Sequence, residues 1–71
     1  GYNVIFANIV ADVIIALAPI LPSQLKAGGK VIASGIIDIR EQEVIAALTK
    51  AGLKIIQRKE ENGWVCLVCE K

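Results

Sequence analysis

The sequence predicts an α/β fold whose strands are covered on both faces. Three observations lead there. Of the 71 residues, 55% are hydrophobic and the mean hydropathy is +0.59. A free-standing domain near this size buries only about 60% of its unfolded surface, so so apolar a chain is expected to belong to a larger interior. The candidate strands are apolar at consecutive positions, as in Val4-Ile5-Phe6-Ala7 and Val31-Ile32-Ala33, which marks strands buried on both sides. Helical patterns alternate with them, the order that builds parallel sheets.

The first strand covers Tyr2 to Ala7. Asp12 has the chemistry of a helix N-cap, so a helix is expected from Val13 to about Ala18. Pro19 lacks an N–H and crowds the preceding turn, so that helix should break or restart there. A second helical piece carries Leu21 and Leu25, and Gly28-Gly29 stops it. The next strand is Lys30 to Ile36. Asp38 and Glu41 then have the spacing of a capping box. The helix behind them places Val44, Ala47, Leu48 and Ala51 on one face and Arg40, Glu41, Gln42, Glu43 and Lys50 on a solvated one. Gly52 suits the left-handed position past a helix end. Leu53 to Lys59 becomes charged along its length, as edge strands do. Asn62-Gly63 is a two-residue hairpin signal, and Trp64 to Cys69 is expected as an interior strand with Trp64 in the core. The order is β-α-β-α-β-β, with a parallel right-handed first pair and helices on both sides of the sheet.

Several function classes are disfavoured. The longest uncharged run lies between Asp12 and Lys26 and is broken by Pro19 and Pro22, whereas a spanning helix needs roughly 20 mostly apolar residues. No secretory start is expected. A glycine first residue and the absence of methionine are what a piece of a longer protein is expected to show. The net charge of +1, with no histidine, suggests neither a nucleic-acid nor an acidic-lipid surface. Cys66 and Cys69 form CLVC, but residues three apart on a strand face opposite ways. A zinc site would need further ligands. Two small core residues in a reducing cytoplasm are expected, and no metal.

Asn8 is the candidate site residue. An amide is costly to bury without partners, and this one stands between two apolar runs. Its residue chemistry leaves two readings: a turn or cap, which asparagine favours, or a polar group held toward a ligand. Ligands of open α/β sheets bind outside the carboxyl ends of strands, where Asn8 is expected. Ser34-Gly35 is expected at the same rim, either beside a pocket or at a bend.

These residues resemble a known family. Ala7-Asn8-Ile9 with Ala11-Asp12, Leu17-Ala18-Pro19, Leu25-Lys26-Ala27-Gly28-Gly29, Ser34-Gly35-Ile36-Ile37 and Gly63-Trp64-Val65 occur in that order. Together they resemble the second half of class I S-adenosylmethionine-dependent methyltransferases. Most narrowly they are similar to the bacterial family acting on large-subunit ribosomal protein eleven. The resemblance covers nearly the whole chain. Its one departure is Ala27, where the family's turn usually has proline.

The resemblance implies the C-terminal half of a Rossmann-like, three-layer αβα sheet: strands four to seven, the last antiparallel and inserted between the fifth and sixth. Residues 1–71 would be a partial methyltransferase domain without the glycine-rich loop and acidic residue that hold the cofactor. It implies a parent enzyme that methylates lysine side chains and the N-terminal amine of a ribosomal protein in the cytoplasm, using S-adenosyl-L-methionine. It assigns Asn8 to cofactor binding and names no general base. The chain alone is then expected to be inactive. Two alternatives are a fragment of a NAD(P)-dependent oxidoreductase, with an all-parallel strand order, and a non-enzymatic α/β module that folds alone.

Overall fold

In the computed structural model, residues 1–8 and 10–71 are described, Asn8 by its backbone alone. The elements are β1 (Tyr2–Asn8), α1 (Ala11–Leu17), a 3₁₀ turn (Ala18–Ile20), α2 (Leu21–Gln24), β2 (Leu25–Ile37), a second 3₁₀ turn (Asp38–Arg40), α3 (Glu41–Lys50), β3 (Lys54–Glu61) and β4 (Trp64–Glu70). The break at Pro19 occurs as its missing N–H requires. The 3₁₀ turn carries Pro19, and helix resumes at Leu21.

The four strands lie in the order β1-β2-β4-β3. β1 and β2 are parallel, and β4 runs antiparallel to both β2 and β3. The last strand is therefore inserted between two parallel ones. This opposes the all-parallel order expected of the oxidoreductase alternative. The hairpin joining β3 to β4 turns at Asn62 and Gly63, with φ of 51° and 81°. Positive φ at both central residues is the signature of a type I′ turn, whose twist matches the strands it joins.

β2 is longer than its pattern suggests. Leu25 begins the strand instead of ending a helix, and Gly28-Gly29 lies within it. The register moves from Tyr2 opposite Leu25 to Val4 opposite Lys30, so the LKAGG turn is absorbed as an irregularity at the strand's start. α3 ends as its sequence predicts. The Leu53 N–H donates to the Leu48 carbonyl and the Gly52 N–H to the Thr49 carbonyl, both at 3.0 Å. With Gly52 at φ +97°, this is the paired bonding that closes a helix on a left-handed residue.

The described core lies on one side of the sheet. Val31, Ala33 and Ile36 of β2 oppose Cys69, Leu67 and Val65 of β4, and all six are buried. Ala11 and Ile14 of α1, with Val44 and Leu48 of α3, complete the same cluster. The other face carries Val4, Phe6 and Trp64, all exposed, with Phe6 at 77%. The expectation that this chain's own helices cover both faces is thus corrected, and so is the expectation of Trp64 in the core. The cause is topological. The crossovers β1-α1-β2 and β2-α3-β3 advance in the same direction along the sheet. Two right-handed crossovers advancing the same way lay their helices on the same face. The chain supplies two of the three layers.

Burying one leucine side chain contributes about 1.5–3 kcal/mol, and truncation adds a cavity cost. Leu48→Ala, at a fully buried position, is expected to cost about 2–5 kcal/mol in denaturant unfolding of a protein carrying this segment. Ile39→Ala, at an 80% exposed position, should stay within about 0.5 kcal/mol.

Candidate functional site

Parallel pairing brings two carboxyl strand ends together. Ala7 lies opposite Ala33, and the backbone of Asn8 opposite Ser34. The chain leaves β1 at Asn8 and enters α1 at Ala11. Because β4 is antiparallel, its amino end arrives at the same rim, Trp64 opposite Ile37 and Val65 opposite Ile36. Between Ala33 and Ile36 the register shifts, and Gly35 stands there at φ 76°. This is a bulge, the device by which a strand re-aims its side chains near a site. Ser34-Gly35 therefore bends the strand at the rim but does not end it. A hollow of about 260 Å³ opens beside it, lined by Ser34, Gly35, Lys59, Glu61, Trp64 and Cys66. Complete small-molecule sites run to about 300–1,000 Å³, and this hollow falls short of that range.

A larger hollow, about 340 Å³, lies between the ends of α1 and α3, lined by Ile15, Pro19, Ala47 and Lys50 among others. Both helices run back from the carboxyl rim, so these C-terminal residues sit at the opposite end of the sheet. Strand carboxyl ends are where ligands of such sheets bind, which makes the smaller hollow the candidate site.

Ion pairs tie the rim. The Arg40 Nη2 donates to Asp12 Oδ1 at 2.5 Å, while its Nε and Nη2 donate to the two Glu43 oxygens at 2.8 and 3.2 Å. Both carboxylates hold the guanidinium protonated far above the working range. Asp12 is therefore not the helix cap expected of it. Val10 occupies that position with no side-chain cap bond. The Asp38–Glu41 capping box is also absent. The helix proper begins at Glu41 without a side-chain cap, because the Glu41 carboxylate is taken by Arg58, whose Nε and Nη2 both donate to it. Glu41 is only 7% exposed, a correction to its placement on the solvated face. The Arg58 hydrogen bonds hold its carboxyl below the usual range, against the opposing effect of burial. Exposed pairs such as Arg40–Asp12 are worth about 0–1 kcal/mol each, so their contribution is geometric more than energetic.

The asparagine expectation divides in two. The backbone of Asn8 stands at the rim, while its side chain, and Ile9 of the same motif, lie outside the described residues. Cys66 is half-buried and Cys69 buried, both free, and burial pushes the Cys69 thiol up to about 11, away from thiolate chemistry. Among the described residues no cluster could hold a metal ion, and no helix is long and apolar enough to cross a membrane.

The family model described as "Ribosomal protein L11 methyltransferase" matches residues 1–71. The chain belongs to this family. The proteins of that name from Agathobacter rectalis and Desulforamulus reducens are 49% and 51% identical to it, over 99% and 94% of the chain. The crystal structure of the ribosomal protein L11 methylase from Lactobacillus delbrueckii subsp. bulgaricus superposes with a TM-score of 0.91 at 31% identity. That match covers 94% of this chain and 35% of the other. The chain spans 22% of the length of those two sequence relatives. Family membership accounts for the inserted antiparallel strand and the open apolar face together, since both belong to one part of a larger sheet.

Arg40 and Arg58 are the rim residues that sequence reasoning missed. The spacing of Arg40 and Glu43 hints at their pair, but Asp12 lies 28 positions from Arg40, beyond any local signal. Glu41 yields a pH test. Its lowered folded-state value means the pair's stabilisation is complete above the unfolded carboxyl value of about 4.3. It is lost as pH falls through the lower folded value. The stability gap between wild type and Glu41→Gln should therefore be widest near neutrality and shrink below about pH 4. A gap that widens on acidification, in urea titrations at stepped pH, contradicts the pairing.

Proposed function

We propose that the protein carrying this segment transfers methyl groups from S-adenosyl-L-methionine to amine nitrogens of a large-subunit ribosomal protein. The acceptors are lysine side chains and the N-terminal amine. The segment contributes the outer part of the catalytic sheet and one wall of the cofactor site, and the work is done in the cytoplasm. The observation that carries this reading is the family match across residues 1–71, on a chain whose parallel pair ends with Asn8 opposite Ser34.

The rim offers polar groups to one end of such a cofactor. Asn8 ends β1, and Ser34 stands level with it on β2 at the last paired position of the two strands. An asparagine amide offers two donors and a two-lone-pair acceptor, suited to the amino-acid end of the cofactor and to an incoming amine. When bound, S-adenosyl-L-methionine supplies an electrophilic methyl group on a positively charged sulfur. The attacking nitrogen needs its lone pair, and a free lysine has a pKa of about 10.4. Orientation of a deprotonated amine in a water-poor site then supplies much of the rate, and Asn8 serves that orientation.

The test is calorimetric titration of S-adenosyl-L-methionine into the full-length protein, its Asn8→Ala variant and the isolated 71 residues. Loss of a bond to a charged ligand group should weaken binding about 10-fold in the variant. The isolated segment should give little or no binding heat. Unchanged affinity and turnover in Asn8→Ala would remove Asn8 from the site, and equal affinity of segment and parent would refute the one-wall reading.

A further inference from the structure

We infer that the lip of the rim, formed by the 3₁₀ turn after β2 and the β3–β4 hairpin, is the docking surface for the amine-bearing stretch of the protein substrate. The inference rests on the methyl-transfer reading given above. Two observations make the lip one piece. The Asp38 N–H donates to the Gly63 carbonyl at 2.9 Å. A Cβ placed on Gly63 would stand 3.7 Å from Asp38 Oδ2, so this carboxylate lies against the hairpin turn. Beside it, Trp64 is paired with Ile37 on one side and with Glu61 on the other. Residues directly opposite in antiparallel strands share a face. Ile37, Trp64 and Glu61 therefore stand in one row, and Trp64 and Glu61 line the hollow beneath it.

The lip is apolar and open: Ile39, Trp64 and Ile37 are all exposed. Exposed apolar residues grouped at the ends of loops mark interaction surfaces. Charge selects the occupant, because folding separates charges that the sequence interleaves. Asp12, Asp38, Glu41, Glu43, Glu60 and Glu61 come to the rim end, against Arg40, Arg58 and Lys59. Lys26, Lys30, Lys50, Lys54 and Lys71 gather at the opposite end with Glu70. At the rim Arg40 takes Asp12 and Glu43, and Arg58 takes Glu41 and Glu60. Among the described residues Asp38 and Glu61 enter no ion pair, and both are exposed. They flank Trp64. Lys59 lies two positions back along β3, opposite Cys66. An indole face attracts a cation within about 6 Å of the ring, and unpaired carboxylates supply the counter-charge. A lysine side chain or terminal amine arriving as a cation fits this chemistry. Position agrees with it. Direct displacement needs the amine beside the cofactor's methyl group, and neighbouring strands lie only about 4.8 Å apart. The lip across β2, β4 and β3 thus adjoins the rim of β1 and β2 proposed for the cofactor.

The test uses the full-length protein and purified ribosomal protein L11, the protein its relatives are named for, as methyl acceptor. The variants are Asp38→Asn, Glu61→Gln, both together, Asp38→Glu, Trp64→Leu and Trp64→Phe. Steady-state methylation gives KM and kcat for the acceptor, and calorimetry gives the affinity for S-adenosyl-L-methionine. Each charge-removing variant should raise the acceptor KM about 2- to 5-fold with kcat unchanged. The double variant should raise it about 10-fold. Wild-type KM should climb with ionic strength, and that of the double variant should climb less. Trp64→Leu should also raise KM, with Trp64→Phe recovering part of the loss. Asp38→Glu keeps the charge and should keep the wild-type KM. Cofactor affinity should stay within about 2-fold of wild type, and Tm within about 4 °C. An unchanged KM in either the double variant or Trp64→Leu overturns the lip, and so does an unaltered salt dependence. A loss of cofactor affinity as large as the rise in KM would give these residues to the cofactor and overturn it too. If wild type binds the cofactor yet transfers no methyl group to L11, the methyl-transfer reading falls, and the lip's occupant with it.

Discussion

Everything in this chain depends on a sheet that has been covered once. Val31, Ala33, Ile36, Val65, Leu67 and Cys69 turn one way into a single core with α1 and α3. Strand alternation turns the intervening residues the other way, and there Val4, Phe6 and Trp64 stand exposed. Apolar side chains at this density are costly to leave in water. The face is therefore built to receive a second layer, and the family's greater length offers the material for it. Covering it would bury the outward strand residues, Val4, Phe6 and Trp64 among them.

The rim follows from strand direction alone. Parallel β1 and β2 bring Asn8 and Ser34 level. Antiparallel β4 brings Trp64 to the same edge, and the Gly35 bulge bends the strand between them. The helices that follow β1 and β2 start at this edge, so their amino ends are close enough for Arg40 to span them. A hollow, a bent strand and a set of ion pairs share one end of the molecule because strand direction brings them there.

Elements with a local cause were legible in the sequence. The Pro19 break, the Gly52 helix end and the Asn62-Gly63 hairpin each depend on one residue's backbone preference. The inserted strand was expected from resemblance and from the unbroken apolar run Trp64 to Val68. What depended on distant partners was misread. Asp12 and Glu41 have the composition of caps, but each carboxylate pairs with an arginine brought close only by folding. The apolarity of Phe6 and Trp64 reads as a buried face, yet in this chain both stand exposed. Pattern reports how a residue prefers to be surrounded, and crossover handedness decides which neighbours this chain can provide.

A module that folds and acts alone remains the rival to this account, and the exposed face separates the two. The most direct measurement pairs calorimetric unfolding with hydrophobic-dye binding. It compares the isolated 71 residues with the same residues joined to the segment preceding them in the full-length protein. The account predicts strong dye binding and a broad, weak transition for the isolated chain, replaced in the longer protein by a sharp transition and loss of dye signal. A sharp transition without dye binding in the isolated chain, unchanged by the added segment, would contradict it.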